Sequence, residues 1–215
     1  RLSWPEVLGL SAGLSLCVYP LLLLWTNAVG WQLGPGNVWL AVGGGLAILT
    51  WRWRRGWRAR LPNIKTWWSG DTRWPDLTLL VIVLLLVGRR FLALRWLEAP
   101  SWGDAVQHAF IAQLLVDHGG LFSSWLPYTP YGTFTVHFGF HSAVAAFQWL
   151  TGMAASPATL VVGQVLNVLA SLCLAPLALR VSGGNRWAAA GAVLATGLLS
   201  PLPATYVNWG RYAQL

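Results

Sequence analysis

The sequence predicts an all-α, polytopic membrane protein with about five transmembrane helices, and three observations carry that prediction. Apolar residues make up 56% of the 215 and charged residues only 9%. The mean hydropathy is +0.55, whereas a soluble domain carries about 25% charged residues. Several separate runs, among them 7–25 and 159–179, are long enough to cross a hydrocarbon core of roughly 30 Å. The basic residues are also crowded: seven of the fourteen fall in 52–73, and none lies between Arg95 and Arg180. That asymmetry is the bias of loops that face the cytoplasm.

The first helix is predicted over about 5–28, with Pro20 inside it removing one backbone donor. It is too long for a signal-peptide core and lacks a cleavage site. The turn GWQLGPGN (30–37) leads to a second helix over about 37–52. Gly43, Gly44 and Gly45 weaken that helix but allow a neighbour to approach closely. The basic loop 52–75 follows, facing anionic lipid heads on the cytoplasmic side. The third helix spans about 76–97.

The gap without Lys or Arg places 98–156 on the outer side, and Arg180 and Arg186 bring the SGGNR turn (182–186) back inside. Within the outer region, 104–118 reads as an amphipathic helix with Phe110, Ile111, Leu114 and Leu115 on its apolar stripe. A second short helix, 138–152, is juxtamembrane or re-entrant by its length. The Pro-, Gly- and aromatic-rich stretch between them suits an ordered crossing at the interface. A fourth spanning helix runs over about 157–180 from the Ser156-Pro157 start, and a fifth over about 187–202 delivers 204–215 to the outer face. The amino terminus is then inside. The expected divisions are 1–75, a helix pair with its basic loop, and 76–215, a transmembrane core with the outer loop 98–156. Beginning at Arg1 and stopping at Leu215 within a polar segment, the chain reads as part of a longer one.

Sixteen tryptophans fit interfacial belts, with Trp25, Trp31 and Trp39 on the outer side and Trp51, Trp53, Trp57, Trp67, Trp68 and Trp74 on the inner. Cys17 and Cys173 read as small buried hydrophobes without a disulfide framework. The net charge of +8 does not point to nucleic acid, because half the cations share one loop and no nucleic-acid-binding signature accompanies them.

Only six carboxylates exist, and Glu98, Asp104 and Asp117 fall within twenty positions after the third helix. A carboxylate at a membrane boundary is costly to desolvate and asks for a reason. Asp104 and His108 are four apart and share a helix face, so together they can orient a base, bind a divalent metal ion or hold an acceptor hydroxyl. The structural alternative is a helix N-cap formed by Ser101 or Asp104. His137 and His141 repeat the spacing, a zinc-compatible pattern without a dictated third ligand. Asp117-His118 closes the amphipathic helix, where His118 suits the negative end of the dipole. Arg89, Arg90, Arg95 and Arg211 are cations at outer positions. A guanidinium there either grips phosphate or, for the first three, snorkels to lipid heads.

The segments RRFLALRWLEAPSWGDAVQH (89–108), YGTFTVHFGFH (131–141) and NWGRYAQL (208–215), set between apolar helices, resemble the N-terminal part of GT-C-type glycosyltransferases, which use polyprenyl-phosphate sugars. The resemblance covers about 76–215. It implies that Asp104 binds or deprotonates the acceptor, that His141 stands at the entry to a juxtamembrane helix, and that Arg211 lies near the segment that contacts the donor. From the residues themselves, His108 orients the acceptor or shares a divalent metal ion with Asp104, and Tyr212, His141, Arg89 and Arg90 join Arg211 as candidate substrate contacts. The chain departs from the pattern in carrying Asp-x-x-x-His rather than an acidic pair, no second outer acid in 204–215, and an additional N-terminal helix pair. The expected function is sugar transfer from a lipid-linked donor on the outer side of the plasma membrane, by a multi-pass protein whose partners are the bilayer and that donor. The alternative is a non-catalytic transmembrane subunit packed against partner chains of a larger membrane complex. A transporter ranks below both, for want of charge pairs at mid-membrane depth.

Overall fold

The computed structural model describes residues 4–55, 73–130, 132 and 137–214. Within them the architecture is all-helical. In chain order the α-helices are α1 (Trp4–Ala28), α2 (Pro35–Arg54), α3 (Arg73–Leu94), α4 (Gly103–His118), α5 (Gly139–Thr151), α6 (Ala155–Leu172), α7 (Leu174–Val181), α8 (Arg186–Leu194) and α9 (Ala204–Asn208). Most of the expected basic loop, and part of the aromatic stretch at 131 and 133–136, lie outside the described residues.

Four helical segments are long and apolar enough to cross a membrane: Trp4–Ala28, Arg73–Leu94, Ala155–Val181 and Arg186–Asn208. The second of the five expected spans is present as α2 but is not among them. Its glycines and its arginines dilute the apolar character that its length alone would supply. The fourth expected span is divided at Cys173. Pro176 lies four residues after Leu172, where the proline ring clashes with the Leu172 carbonyl and ends the first segment. The fifth is divided as well. After Leu194 the backbone widens to a π turn, Ala195–Leu199, closed by Ser200 N–H donating to the Ala195 carbonyl at 2.6 Å. Ser200 precedes Pro201 and is extended (φ −75°, ψ 144°), the conformation a following proline imposes.

Two groups of contacts set the ends of the bundle. At one end Arg180 pairs with Glu6 at 2.5 Å, and Arg186 pairs with Asp76. At the other end Leu33 N–H donates to the Gly119 carbonyl at 2.6 Å, and Arg90 Nη1 donates to Asn208 Oδ1 at 3.5 Å. The apolar core follows the same division. Leu79 and Ile82 of α3 pack with Leu179 of α7 and Val193 of α8 near the ion pairs. Leu23 of α1 and Val38 of α2 pack with Leu114 and Leu115 of α4 and Trp149 of α5 at the other end. The stripe expected on 104–118 is therefore the buried face of α4. The two cysteines differ from expectation: both are exposed, because their helices bury other faces.

Candidate functional site

The site is built on the amino-terminal half of α4, the first turn of α5 and the turn after α9. Trp102, in extended conformation, takes the N-cap of α4 and makes no side-chain capping bond. Neither Ser101 nor Asp104 caps the helix, so the structural alternative for Asp104 does not hold. The Asp104 carboxylate is exposed and accepts no hydrogen bond among the described residues. One turn later, His108 points at α5. Its Nδ1 lies 2.7 Å from Nε2 of His141, and Nδ1 of His141 lies 2.9 Å from the carbonyl of His137.

His141 is 1% exposed. Burial, reinforced by the neighbouring His108 and only partly opposed by the bond to the His137 carbonyl, lowers its pKa to about 4. His108 is lowered too, by burial, with the nearby Asp104 charge pulling the other way. Two aromatic rings frame the pair. Tyr212 stacks on Phe140 with ring centroids 4.8 Å apart, and His108 meets both edge-on at 5.8 and 5.5 Å. Burial holds the Tyr212 phenol up at about 12, so it stays neutral.

Two close approaches hold this frame. Gly163 of α6 lies so near Tyr212 that a Cβ there would fall 2.6 Å from the ring's Cδ1. Gly210 adopts φ +69°, and a Cβ on it would lie 2.7 Å from Ala105 Cβ and 2.8 Å from Ala105 N. Gly210 thereby seats the turn carrying Arg211 directly on the first turn of α4.

Asp104, His108, His141 and Arg211 line one cavity of about 590 Å³, together with Gln107 and Gln214. Arg211 is exposed, with its guanidinium carbon 5.3 Å from the Trp209 ring centroid. A second, mostly apolar groove of about 560 Å³ opens between α1 and α6, walled by Gly13, Pro20, Leu166 and Tyr212. The two spaces share His137 and Ala213 as a common wall. Tyr212 thus faces the groove and not the polar cavity.

Arg89 and Arg90 lie outside that cavity. Arg89 Nη1 donates to the Leu198 carbonyl at 3.2 Å. Arg90 is buried, and its Nε and Nη2 have no partner among the described residues. Among those residues no group of three or more His, Cys, Asp or Glu is placed to hold a metal ion. Asp104 and one free nitrogen of His108 are two donors, and His141 is committed to His108. The contributions of Phe140, Gly163 and Gly210 carry no signal in the sequence beyond their residue types, because each acts through a neighbour distant in the chain. No protein-family model, curated protein or solved structure matches the chain.

Proposed function

We propose that this chain is a membrane glycosyltransferase of the GT-C type, multi-pass in the plasma membrane. It transfers a sugar from a polyprenyl-phosphate donor to an acceptor hydroxyl on the outer side. The observation that carries the reading is the joining of two unlike spaces. A polar cavity holding a carboxylate, an imidazole pair and a guanidinium shares a wall with an apolar groove that runs between α1 and α6. A phosphate-linked sugar on a long hydrocarbon needs both, and needs them adjoining.

In this reading the polyprenyl chain lies along the groove and its phosphate meets Arg211. The planar fork of the guanidinium pairs with two phosphate oxygens. The acceptor oxygen attacks the anomeric carbon as the bond to the phosphate oxygen breaks. The electron pair leaves with the phosphate, where Arg211 stabilises the developing charge. The acceptor proton passes to the Asp104–His108 pair. A second reading, a non-catalytic subunit of a membrane complex, has one observation in its favour. Cβ atoms placed at Gly43, Gly44 and Gly45 would meet nothing within 4 Å, which leaves that stretch of α2 open to another helix.

Donor affinity in nanodiscs separates the two. Arg211→Ala should weaken binding of a polyprenyl-phosphate sugar by roughly ten- to a hundredfold, the worth of a charge-assisted contact. Arg211→Lys should fall between, since it keeps charge without the fork. Arg89→Ala, outside the cavity, should bind as wild type does. Equal affinity for wild type, Lys and Ala at position 211 removes Arg211 from the site, and no donor binding by wild type favours the subunit.

A further inference from the structure

Two hydrogen bonds fix where the protons sit on His141 and His108. A carbonyl oxygen only accepts, so the 2.9 Å contact from His141 Nδ1 to His137 requires the hydrogen on Nδ1. Deep burial keeps His141 neutral, and a neutral imidazole carries one N–H. His141 Nε2 is therefore a bare lone pair. The 2.7 Å contact to His108 Nδ1 then requires that His108 be the donor. His108, when neutral, is left with its own lone pair on Nε2. A histidine free in water prefers the other tautomer, so this arrangement is imposed by α5.

We infer that His141 is a positioning residue that holds His108 in the Nδ1–H tautomer, so that His108 Nε2 is the atom that takes the proton from the substrate hydroxyl. Asp104 then acts as its electrostatic partner. The assignment rests on the transferase reading for the identity of the hydroxyl, but the tautomer does not. The surroundings agree with the division of labour. Neutral imidazole is the stronger base of the two side-chain types. Asp104, one turn earlier on α4, favours the imidazolium that forms. T-shaped contacts with Phe140 and Tyr212 restrain the ring. The other charged or titratable groups lining the cavity are His137 and Arg211. In the transferase reading Arg211 is occupied with phosphate while donor is bound.

The step balances within these atoms. The acceptor O–H loses its proton to His108 Nε2 as the oxygen bonds to the anomeric carbon, and the phosphate leaves with the electron pair of the broken C–O bond. The imidazolium keeps its Nδ1–H on His141 Nε2 throughout, and His141 takes no proton.

Side-chain ¹⁵N spectra of the full chain in nanodiscs, recorded above pH 7 without substrate, read the tautomers directly. Both His108 and His141 should appear as Nδ1–H, with coupling across the bond between His108 Nδ1 and His141 Nε2. His141→Phe should release His108 to the Nε2–H form, and His141→Gln, whose amide oxygen can accept from Nδ1, should hold it. In transfer assays His141→Phe should lower kcat by roughly a hundredfold at unchanged KM, and His141→Gln should recover most of it. An Nε2–H His108 in wild type, or one indifferent to His141→Phe, overturns the positioning role even if sugar transfer is observed. The expected tautomers without any donor binding uphold the positioning role and overturn the transferase reading alone.

Discussion

A buried neutral histidine leaves a signature in the pH dependence of stability. His141 titrates near pH 4 when folded, against about 6.5 for an unconstrained histidine. Below about pH 6.5 the unfolded chain binds a proton that the folded chain refuses, so stability is complete above that pH and is lost as pH falls toward 4. The full effect is on the order of 3 kcal/mol, since each pH unit between the two titrations is worth about 1.4 kcal/mol. In His141→Phe the denaturation midpoint between pH 7 and 4 should be flatter than in wild type, carboxylate effects being common to both. Parallel curves would mean that His141 titrates in the fold as it does in the unfolded chain. Both members of the pair are legible in the sequence as residues of interest, each through its own four-residue spacing to Asp104 or His137. Their bond to each other is not, because it joins positions 33 apart in the chain and no local pattern encodes it. The arginines show the complementary limit. Charge bias gives the depth of Arg89, Arg90 and Arg211 along the bundle, but not which side of a helix each occupies. Only Arg211 reaches the cavity.

At the scale of elements, the turn after α9 is held by what Gly210 lacks. Its φ of +69° is left-handed, a conformation costing an L-residue about 1–2 kcal/mol, and the space beside it is filled by Ala105, which is 0% exposed. Gly210→Ala adds overpacking, about 1–3 kcal/mol, to that strain. Gly183, at φ +67° with nothing within 4 Å, offers the strain without the clash. Gly210→Ala should therefore lower Tm in detergent distinctly more than Gly183→Ala, and should also weaken donor binding by moving Arg211 away from Asp104. Equal losses of Tm, with donor affinity intact, would show that the seat on α4 is dispensable. The helices themselves are readable from apolar length and start signals: 104–118 and 138–152 are observed as Gly103–His118 and Gly139–Thr151. The internal breaks escape that reading, although Pro176 and Pro201 are their signal. A long apolar run announces a span and masks the backbone donor that a proline removes from it.

For the whole molecule, the ion pairs and the site lie at opposite ends, and the charge distribution predicts an orientation that labelling can test. Glu6–Arg180 and Asp76–Arg186 tie the starts of α1 and α3 to the α7–α8 turn, so these segments share one end whatever the membrane does. Arg180 is 69% exposed at its side chain but Glu6 only 10%, so the first pair keeps a buried carboxylate partnered and marks which segments are neighbours. Basic residues concentrate at that end, and the 84 residues between Arg95 and Arg180, which contain neither Lys nor Arg, include the helices that carry the cavity. The positive-inside bias predicts that the ion pairs face the cytoplasm and the cavity faces outside. Ser123, between α4 and α5, and Ser182, in the α7–α8 turn, are both exposed and belong to opposite ends. Single cysteines at the two positions, in a background with Cys17 and Cys173 replaced by Ala, should label with a membrane-impermeant reagent from opposite faces of sealed cells, Ser123→Cys from outside. Opposite labelling with Ser182→Cys outside would invert the protein and place the cavity in the cytoplasm, where the outer-face transferase reading fails. Labelling of both from one face would require α5 to cross the membrane. Its 13 residues span only about 20 Å at 1.5 Å per residue, short of the roughly 30 Å core, which is why opposite faces are expected.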